Sequence, residues 1–144
     1  MEAGDVVCIW LDSEHLGGEE GKLKYAVRVD AKEHRFLLIN SEPRRTTPDD
    51  NMPLPHADAE YLPKEVSYID TSRVIGLTPT QFREGMAKRG AKELGKLADK
   101  TKAKLVAGTE KSKVLIKWQK GMIARNLSPK SIGTDTGKGP AKKP

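Results

Sequence analysis

The first half of the chain carries short apolar segments separated by polar turns, a pattern typical of β-strands. Residues 4–11 form a near-continuous apolar run, and residues 24–30 alternate between apolar and polar positions. Residues 35–41 and 67–75 are two further segments rich in aliphatic and β-branched side chains. Because only a short AKEH turn separates the second segment from the third, these two should pair as an antiparallel hairpin.

The segments between these strands contain residues that favour turns. Residues 12–22 combine three glycines with acidic side chains, the composition of a mobile loop. Residues 42–64 hold five prolines, which should exclude regular secondary structure: Pro43, Pro48, Pro53, Pro55 and Pro63. Short strands with a Gly-rich first loop predict a small antiparallel barrel rather than a βαβ sheet.

The apolar pattern changes to a helical period in the second half. Thr78 is placed to cap a helix, with Pro79 at its first position and Gln81 as the reciprocal cap. Apolar or small residues then recur on one arc of a helix that continues past residue 100: Phe82, Met86, Leu94, Leu97, Ala98, Thr101 and Leu105. Gly90 and Gly95 weaken this helix and mark where it could break.

A second helix is predicted over roughly residues 110–125, because Gly108 and Thr109 read as a stop followed by a new N-cap. It should bury Val114, Leu115, Trp118 and Met122. Trp118 and Met122 are expected to belong to the core rather than to stack on nucleic-acid bases. Residues 127–144, rich in Gly, Pro and Lys, are predicted to be a disordered basic tail.

Charge divides the chain into two unlike halves. The whole sequence is 36% hydrophobic and 32% charged, with a net charge of +6. Residues 1–77 contain 9 Lys+Arg and 15 Asp+Glu, a net of −6, whereas residues 78–144 contain 17 and 5, a net of +12. Attraction to nucleic acid should therefore come mostly from the second half.

Lysines form a stripe on the polar side of the first predicted helix, and the stripe has two interpretations. Lys88, Lys92, Lys96 and Lys100 recur every four residues and could follow a phosphate backbone, so they are candidate nucleic-acid-binding residues. Charged side chains also line the solvent face of any amphipathic helix. Both interpretations stay open at the level of sequence.

Several classes of site are disfavoured. Cys8 is the only cysteine and lies in an apolar run, so no intrachain disulfide can form and a buried structural thiol is expected. The three histidines share no metal-ligand spacing, and GGEEG lacks the spacing of a nucleotide loop. No cofactor or metal is predicted. With neither a signal-peptide pattern nor an apolar run long enough to cross a bilayer, the protein should be cytoplasmic, with no membrane partner.

Four polar residues in SYIDTSRVIG, Asp70 to Arg73, could suggest a catalytic cluster. If the segment is one strand, side chains alternate, so Asp70 and Ser72 face one way and Thr71 and Arg73 the other. The four would then not act as a unit, and Arg73 would pair with a neighbouring acid.

The order of short motifs resembles the start of the MazF/PemK-like toxins, which are small SH3-like barrels. Gly4-Asp5-Val6-Val7 matches their opening, Gly18-Glu19-Glu20 resembles their first loop, and Ala26-Val27 matches the following strand. SYIDTSRV followed by helices also looks like PemK-like barrels that carry a helical C-terminal extension. The resemblance covers roughly residues 4–76.

This resemblance implies a homodimer, normally restrained by an antitoxin protein, that cleaves single-stranded RNA without a metal. In that reaction the RNA 2′-OH attacks its own phosphate, assisted by an Arg of an Arg-Pro element and by a Ser or Thr that ends the next strand. Lys24 stands at the Arg position, and Ser41 at the Ser/Thr position, or Asn40 if the register shifts by one. Lysine lacks the bidentate fork of arginine. Arg28, on the same strand face as Lys24, could compensate, as could Arg44 and Arg45.

The sequence therefore predicts an α+β protein: an SH3-like antiparallel barrel over residues 1–76, two basic amphipathic helices over 77–126 and the tail. The first functional interpretation is an RNA-directed protein of toxin type, with Lys24, Arg28 and Ser41 as its endoribonuclease site. One alternative is a non-catalytic module that binds nucleic acid through the lysine helix. Another is a protein-interaction domain whose acidic barrel meets a basic partner.

Overall fold

The computed structural model describes residues 1–128, so the predicted disordered tail falls, apart from its first two residues, outside the described residues. Residues 1–128 contain seven strands: β1 (Asp5–Leu11), β2 (Lys22–Asp30), β3 (His34–Asn40), β4 (Asn51–Pro55), β5 (Val66–Asp70), β6 (Ile75–Leu77) and β7 (Lys92–Lys96). Three α-helices follow or interrupt them: α1 (Pro79–Ala87), α2 (Asp99–Glu110) and α3 (Lys117–Leu127). No helix within residues 1–128 is long and apolar enough to cross a membrane.

All the strands belong to one antiparallel sheet, which confirms the α+β class. The strand order is β4-β5-β3-β2-β1-β7, and β6 pairs with β3 beside β5. β2 and β3 form the predicted hairpin, in which Val27 pairs with Leu37. The predicted barrel is not closed, because β4 and β7 stand at opposite ends of this order and do not pair with each other in residues 1–128.

The sheet is buried on both faces, with one apolar cluster on each. Val6 and Val27 pair and contribute to the cluster that α2 and α3 cover, together with Leu105 and Ile123. Val7 and Ala26 are the next pair, and they belong to the cluster covered by β6 and α1. Strand alternation sends neighbouring side chains to opposite clusters, so the near-continuous apolar run of β1 reflects burial on both sides.

The long first helix predicted from Thr78 past Lys100 is wrong. Its start is confirmed, since Thr78 and Gln81 form the predicted reciprocal cap. The helix ends at Ala87, however, and residues 92–96 form β7, which pairs with the open edge of β1. Gly90 makes the turn with φ +92°, and Gly95 packs so closely on the Tyr61 ring that a Cβ would lie 2.5 Å from it. The apolar residues that looked like one helical face therefore belong to separate elements: α1 packs on one face of the sheet and α2 on the other.

The proline-rich segment is not wholly irregular, which corrects a second expectation. β4, with the sequence NMPLP, pairs with β5 only and so lies at the edge of the sheet. An edge strand needs hydrogen bonds on one side only, so it tolerates the missing N–H groups of Pro53 and Pro55. Leu54 from this strand is almost fully buried.

The predicted strand 67–75 is two strands joined by a bulge. Ile69 pairs with Ile39 of β3, and Ile75 pairs with Phe36, so the seven residues 69–75 lie opposite only the four residues 36–39 of β3. The extra residues leave the sheet between β5 and β6, and simple side-chain alternation does not apply to them.

The last helix differs from expectation at its beginning. Gly108 and Thr109 lie inside α2, and α3 begins only at Lys117. Met122 and Leu115 are buried as predicted, whereas Val114 and Trp118 are about half exposed, contrary to prediction. The amide of Asn126 donates a hydrogen bond of 3.1 Å to the carbonyl of Val29 and holds α3 against β2.

A cationic groove as the candidate functional site

A groove of about 460 Å³ opens where the β1–β2 loop, the ends of β2 and β3 and the β3–β4 loop meet. It is lined by Leu16, Gly17, Glu19, Lys22, Lys24, Leu38, Asn40, Arg44, Arg45, Thr46 and Arg73. Five of these side chains are cationic and one is acidic, although the first half of the chain is acidic overall. We call this surface the cationic groove.

A slightly larger cavity lies elsewhere and has the opposite electrostatic character. It measures about 550 Å³ and lies beside β1 and α1, where Asp12 and Glu84 outnumber the single cation, Lys88. A polyanion is repelled by such a lining and attracted by the cationic groove. The groove is therefore the better candidate site for a phosphate-bearing ligand, although it is the smaller cavity.

Lys24 lies in the groove beside the end of β3. Tyr25 pairs with Ile39, and this register brings the Lys24 ammonium to Asn40, to whose Oδ1 it donates a hydrogen bond of 3.0 Å. Burial lowers the pKa of Lys24, and the charges of Lys22 and Arg44 lower that pKa further. The charges of Glu19 and Asp70 act in the opposite direction, and the net effect is a lowered pKa for Lys24.

The β3–β4 loop presents Arg44 and Arg45 because Asn51 organises it. The Asn51 side chain accepts a hydrogen bond of 2.8 Å from the Arg44 backbone N–H. Its amide nitrogen lies within hydrogen-bonding distance of the carbonyls of Arg44, Thr47 and Pro48. Both arginine side chains stay exposed at the groove, and Arg44 approaches the buried carboxylate of Asp70 at 3.6 Å.

The bulge between β5 and β6 supplies Arg73. Its guanidinium donates a hydrogen bond of 2.7 Å to the carbonyl of His15 in the β1–β2 loop, and its Nε is buried without a partner in the described structure. Asp70 accepts hydrogen bonds from the backbone and hydroxyl of Ser72, so these two residues brace the bulge. The expectation that Arg73 pairs with an acid is wrong, because it contacts a carbonyl and lines the groove.

Arg28 does not join Lys24, although the two share a face of β2. Arg28 is only 2% exposed. It donates hydrogen bonds to the carbonyls of Asp30 and Ala31 and to Nδ1 of His34, and it lies 5.2 Å from the Phe82 ring centroid. Since arginine can only donate, His34 accepts here, and burial together with the Arg28 charge lowers the pKa of His34. Arg28 therefore fastens the β2–β3 turn, which corrects its predicted place in the site.

The end of β3 presents Asn40 rather than Ser41 to the groove. Ser41 is exposed and does not line the groove, whereas Asn40 does. The alternative register considered for the sequence is thus the one that places a side chain beside Lys24. Arg73 was missed because strand alternation cannot anticipate a bulge. Arg44 and Arg45 carried a visible signal, since they are the only adjacent cations in residues 1–77.

The four candidate lysines do not form one stripe. Lys88 follows α1 and lies 5.3 Å over the Trp10 ring, and Lys92 begins β7. Lys96 ends that strand and pairs with Asp5 at 2.8 Å, and this contact raises the pKa of Lys96. Lys100 lies in the first turn of α2. Their nucleic-acid-binding role stays a prediction, but the single helical face on which it depended does not exist.

One group of metal-ligating side chains converges in the described residues. Ligand atoms of Asp12, Glu14 and His15 lie within 4.8 Å of one another in the β1–β2 loop. Asp12 and Glu14 are exposed, and three ligands would leave half or more of a Ca²⁺ or Mg²⁺ shell to water. These residues could hold a cation only weakly.

Cys8 is half-buried rather than fully buried, and burial raises the pKa of its thiol. A raised pKa favours the neutral thiol over the reactive thiolate. This agrees with the structural role expected for it.

Comparison with known proteins finds no matching family model and no matching curated protein. Among solved structures, the chain is similar to the crystal structure of MazE-MazF (Form-II) from Deinococcus radiodurans. The two are 16% identical, the match covers 87% of this chain and 93% of that chain, and the TM-score is 0.49. So distant a likeness carries no information about what this chain binds.

Proposed function

We propose that the cationic groove binds the phosphodiester backbone of single-stranded RNA, as in a MazF/PemK-like, RNA-directed protein of toxin type. The observation that supports this most directly is the convergence of five cations from separate chain segments on one concave surface with a single acid. Gathering like charges costs free energy in the unliganded protein, and a polyanionic ligand offsets that cost.

The lining favours a single strand over a duplex. Leu16 and Leu38 line the groove beside the cations and are 8% and 5% exposed, so a base can contact their exposed edges while its phosphate meets Lys24 or an arginine. A duplex presents a convex backbone with its bases stacked inside, and it cannot place a base against these leucines.

The same residues can support cleavage of the strand without a metal. Lys24 in its neutral form would accept the proton of the RNA 2′-OH, and the 2′-oxygen would attack the adjacent phosphorus. As the new P–O2′ bond forms, the P–O5′ bond breaks, and the departing 5′-oxygen takes a proton from solvent in the open groove. Arg44, Arg45 and Arg73 would stabilise the charge that develops on the phosphoryl oxygens.

Binding is tested with a fluorescent single-stranded RNA titrated with the full chain at several salt concentrations. We expect Lys24→Met, and Arg44→Ala combined with Arg45→Ala, to weaken binding and to reduce its salt dependence. Lys64→Ala is the matched control, because Lys64 is an exposed lysine outside the groove. Equal RNA affinity in all three variants would exclude the groove as the binding site.

Cleavage is tested on the same RNA and on a copy with 2′-deoxyribose at every position. The proposal expects products with a 2′,3′-cyclic phosphate end, unaffected by a metal chelator, and no cleavage of the deoxy copy. RNA that binds in the groove but stays intact across varied sequences would leave a binding module without catalysis. The antitoxin partner and the homodimer stay predictions, and mass measurement of the purified chain tests the second.

A further inference from the structure

A compact apolar patch lies at the junction of α2 and α3, far along the chain from the groove residues. Val114, Ile116 and Trp118 are 51%, 55% and 52% exposed. The other exposed large apolar side chains in residues 1–128 are Met1, Leu23 and Val66, and they are only 36–40% exposed. Val114, Ile116 and Trp118 are therefore the most exposed of this kind, and they lie within five consecutive positions. We call Val114, Ile116 and Trp118 the elbow patch.

The polypeptide around the elbow patch is fixed, so the exposure of these side chains is a stable feature. The Ser112 hydroxyl accepts hydrogen bonds from the backbone N–H groups of Val114 and Leu115, and Leu115 is buried between the exposed residues. The Gln119 side chain accepts a hydrogen bond of 3.1 Å from the Ile116 N–H and so caps the start of α3. Burial of Leu115 thus holds its neighbours Val114 and Ile116 outward.

Trp118 is held in place by the sheet below it. The Arg35 guanidinium lies 5.1 Å from the centroid of the Trp118 ring, and Asp30 holds Arg35 through an ion pair of 2.7 Å. A fixed, half-exposed tryptophan beside an arginine is typical of the residues that dominate protein–protein binding energy.

The chain segment that carries the patch is cationic in sequence, although Glu110 precedes it and Asp30 lies behind Arg35. Residues 111–128 contain Lys111, Lys113, Lys117, Lys120 and Arg125 and no acidic residue. Lys113 and Lys117 are exposed and flank the apolar side chains in sequence. An apolar centre with a rim of one charge complements a ligand with an apolar face and acidic edges.

We infer that the elbow patch binds an acidic amphipathic segment of a partner protein. Two of its three apolar residues are aliphatic, and such side chains provide no stacking surface for nucleic-acid bases. The three residues lie in a short connection and one helical turn, not along the continuous apolar face of a membrane-surface helix. The chain's own residues 129–144 carry four lysines and one aspartate, so they are repelled by this rim.

The elbow patch is independent of the cationic groove. α3 packs on the sheet face that contains Val27 and Leu37, whereas alternation puts Lys24 and Asn40 on the other face. The hypothesis of binding at the elbow patch can therefore be tested separately from the hypothesis of RNA binding in the groove.

Fluorescence anisotropy on the full chain tests the inference near physiological salt. The probes are a labelled amphipathic peptide of glutamate, leucine and phenylalanine at helical spacing, a scrambled peptide of the same composition, a single-stranded RNA, and vesicles of phosphatidylserine and phosphatidylcholine. We expect the amphipathic peptide to bind more tightly than the scrambled one. Trp118→Ser, and Lys113→Glu with Lys117→Glu, should each weaken that binding roughly tenfold or more.

Lys104→Glu is the matched control, because Lys104 is exposed on α2 outside the patch and should leave peptide affinity unchanged. All the altered side chains are exposed, so thermal midpoints should stay close to that of the unmodified protein. Four outcomes would overturn the inference: no peptide binding up to roughly millimolar concentration, equal binding of the scrambled peptide, affinity insensitive to the patch variants, or a patch dependence seen only with RNA or vesicles.

Discussion

The cationic groove and the elbow patch are both positively charged, but the chain builds them in different ways. The groove takes its cations from β2, the β3–β4 loop and the bulge before β6, so residues nearly fifty positions apart become neighbours. The elbow patch is one short stretch of sequence whose exposure is decided locally by Ser112 and Leu115. In the groove the cations surround a concavity in which Lys24 is partly buried, whereas in the patch they flank exposed apolar side chains.

This difference indicates different ligands. Converging cations with a partly dehydrated lysine suit a phosphate that enters between them. An apolar centre with a cationic rim suits a second polypeptide, because burial of its apolar face supplies the affinity and the rim selects acidic partners. Four changes to the protein separate these two roles, and they are given in order of decreasing expected effect.

Replacing Arg28 should have the largest effect, and it should act on stability alone. Arg28→Leu removes the donor from the buried carbonyl of Asp30, from the carbonyl of Ala31 and from His34. We expect a loss of about 3 kcal/mol in the free energy of unfolding, measured by chemical denaturation. Arg44→Ala should leave stability almost unchanged. A stable Arg28→Leu protein that fails to bind RNA would return Arg28 to the site and break the contrast drawn here.

Removing Arg44 and Arg45 together should weaken RNA binding roughly a hundredfold at low salt, since each loses about one charge-assisted phosphate contact. The slope of log affinity against log salt should fall in magnitude by about 1.4 for a single strand. Lys113→Glu with Lys117→Glu should change RNA affinity far less, because those residues lie on the other surface. Equal effects from both double variants would mean that the two surfaces bind one ligand.

The pH dependence of cleavage should report Lys24. A general base acts when deprotonated, so kcat/KM should rise with pH through the Lys24 pKa, which burial and neighbouring cations place below the usual 10.5. Lys24→Arg keeps the charge but titrates too high to act as base, so the rise should disappear while RNA binding is retained. An unchanged pH profile in Lys24→Arg would exclude Lys24 as the base.

The smallest effect concerns the support of the elbow patch. Hydrogen bonds from the backbone N–H groups of Glu33 and Lys32, together with Arg35, lower the pKa of Asp30 despite the opposing effect of burial. Stability from this carboxylate is therefore complete above its usual pKa of 3.8 and lost as pH falls through the lowered folded-state value. Asp30→Asn should reduce stability at neutral pH by roughly 1 kcal/mol and flatten the acid limb below pH 3.8. If Asp30→Asn also lowers the affinity of the patch for the peptide, then Arg35 positions Trp118.

Local sequence was sufficient for features decided by neighbouring residues. The Thr78–Gln81 cap, the β2–β3 hairpin and the burial of Met122 all follow from short-range patterns, and the structure confirms them. Lys24 became a candidate site residue through the family resemblance, and the structure places Asn40 beside it. Helical periodicity alone predicted that Trp118 is buried, but the fold places no core beside it, and the side chain is 52% exposed.

What the sequence determined by itself was the α+β class, most strand positions and the division of charge, because these depend on alternation, capping and composition. Tertiary structure alone decided that residues 92–96 form a strand, since only the open edge of β1 supplies hydrogen bonds that a helix would otherwise make internally. It also decided the make-up of the cationic groove, because a bulge and an Asn51-braced loop bring Arg73 and Arg44 to the groove that Lys24 lines. Such contacts join residues distant in sequence, and no local pattern encodes the distance between them.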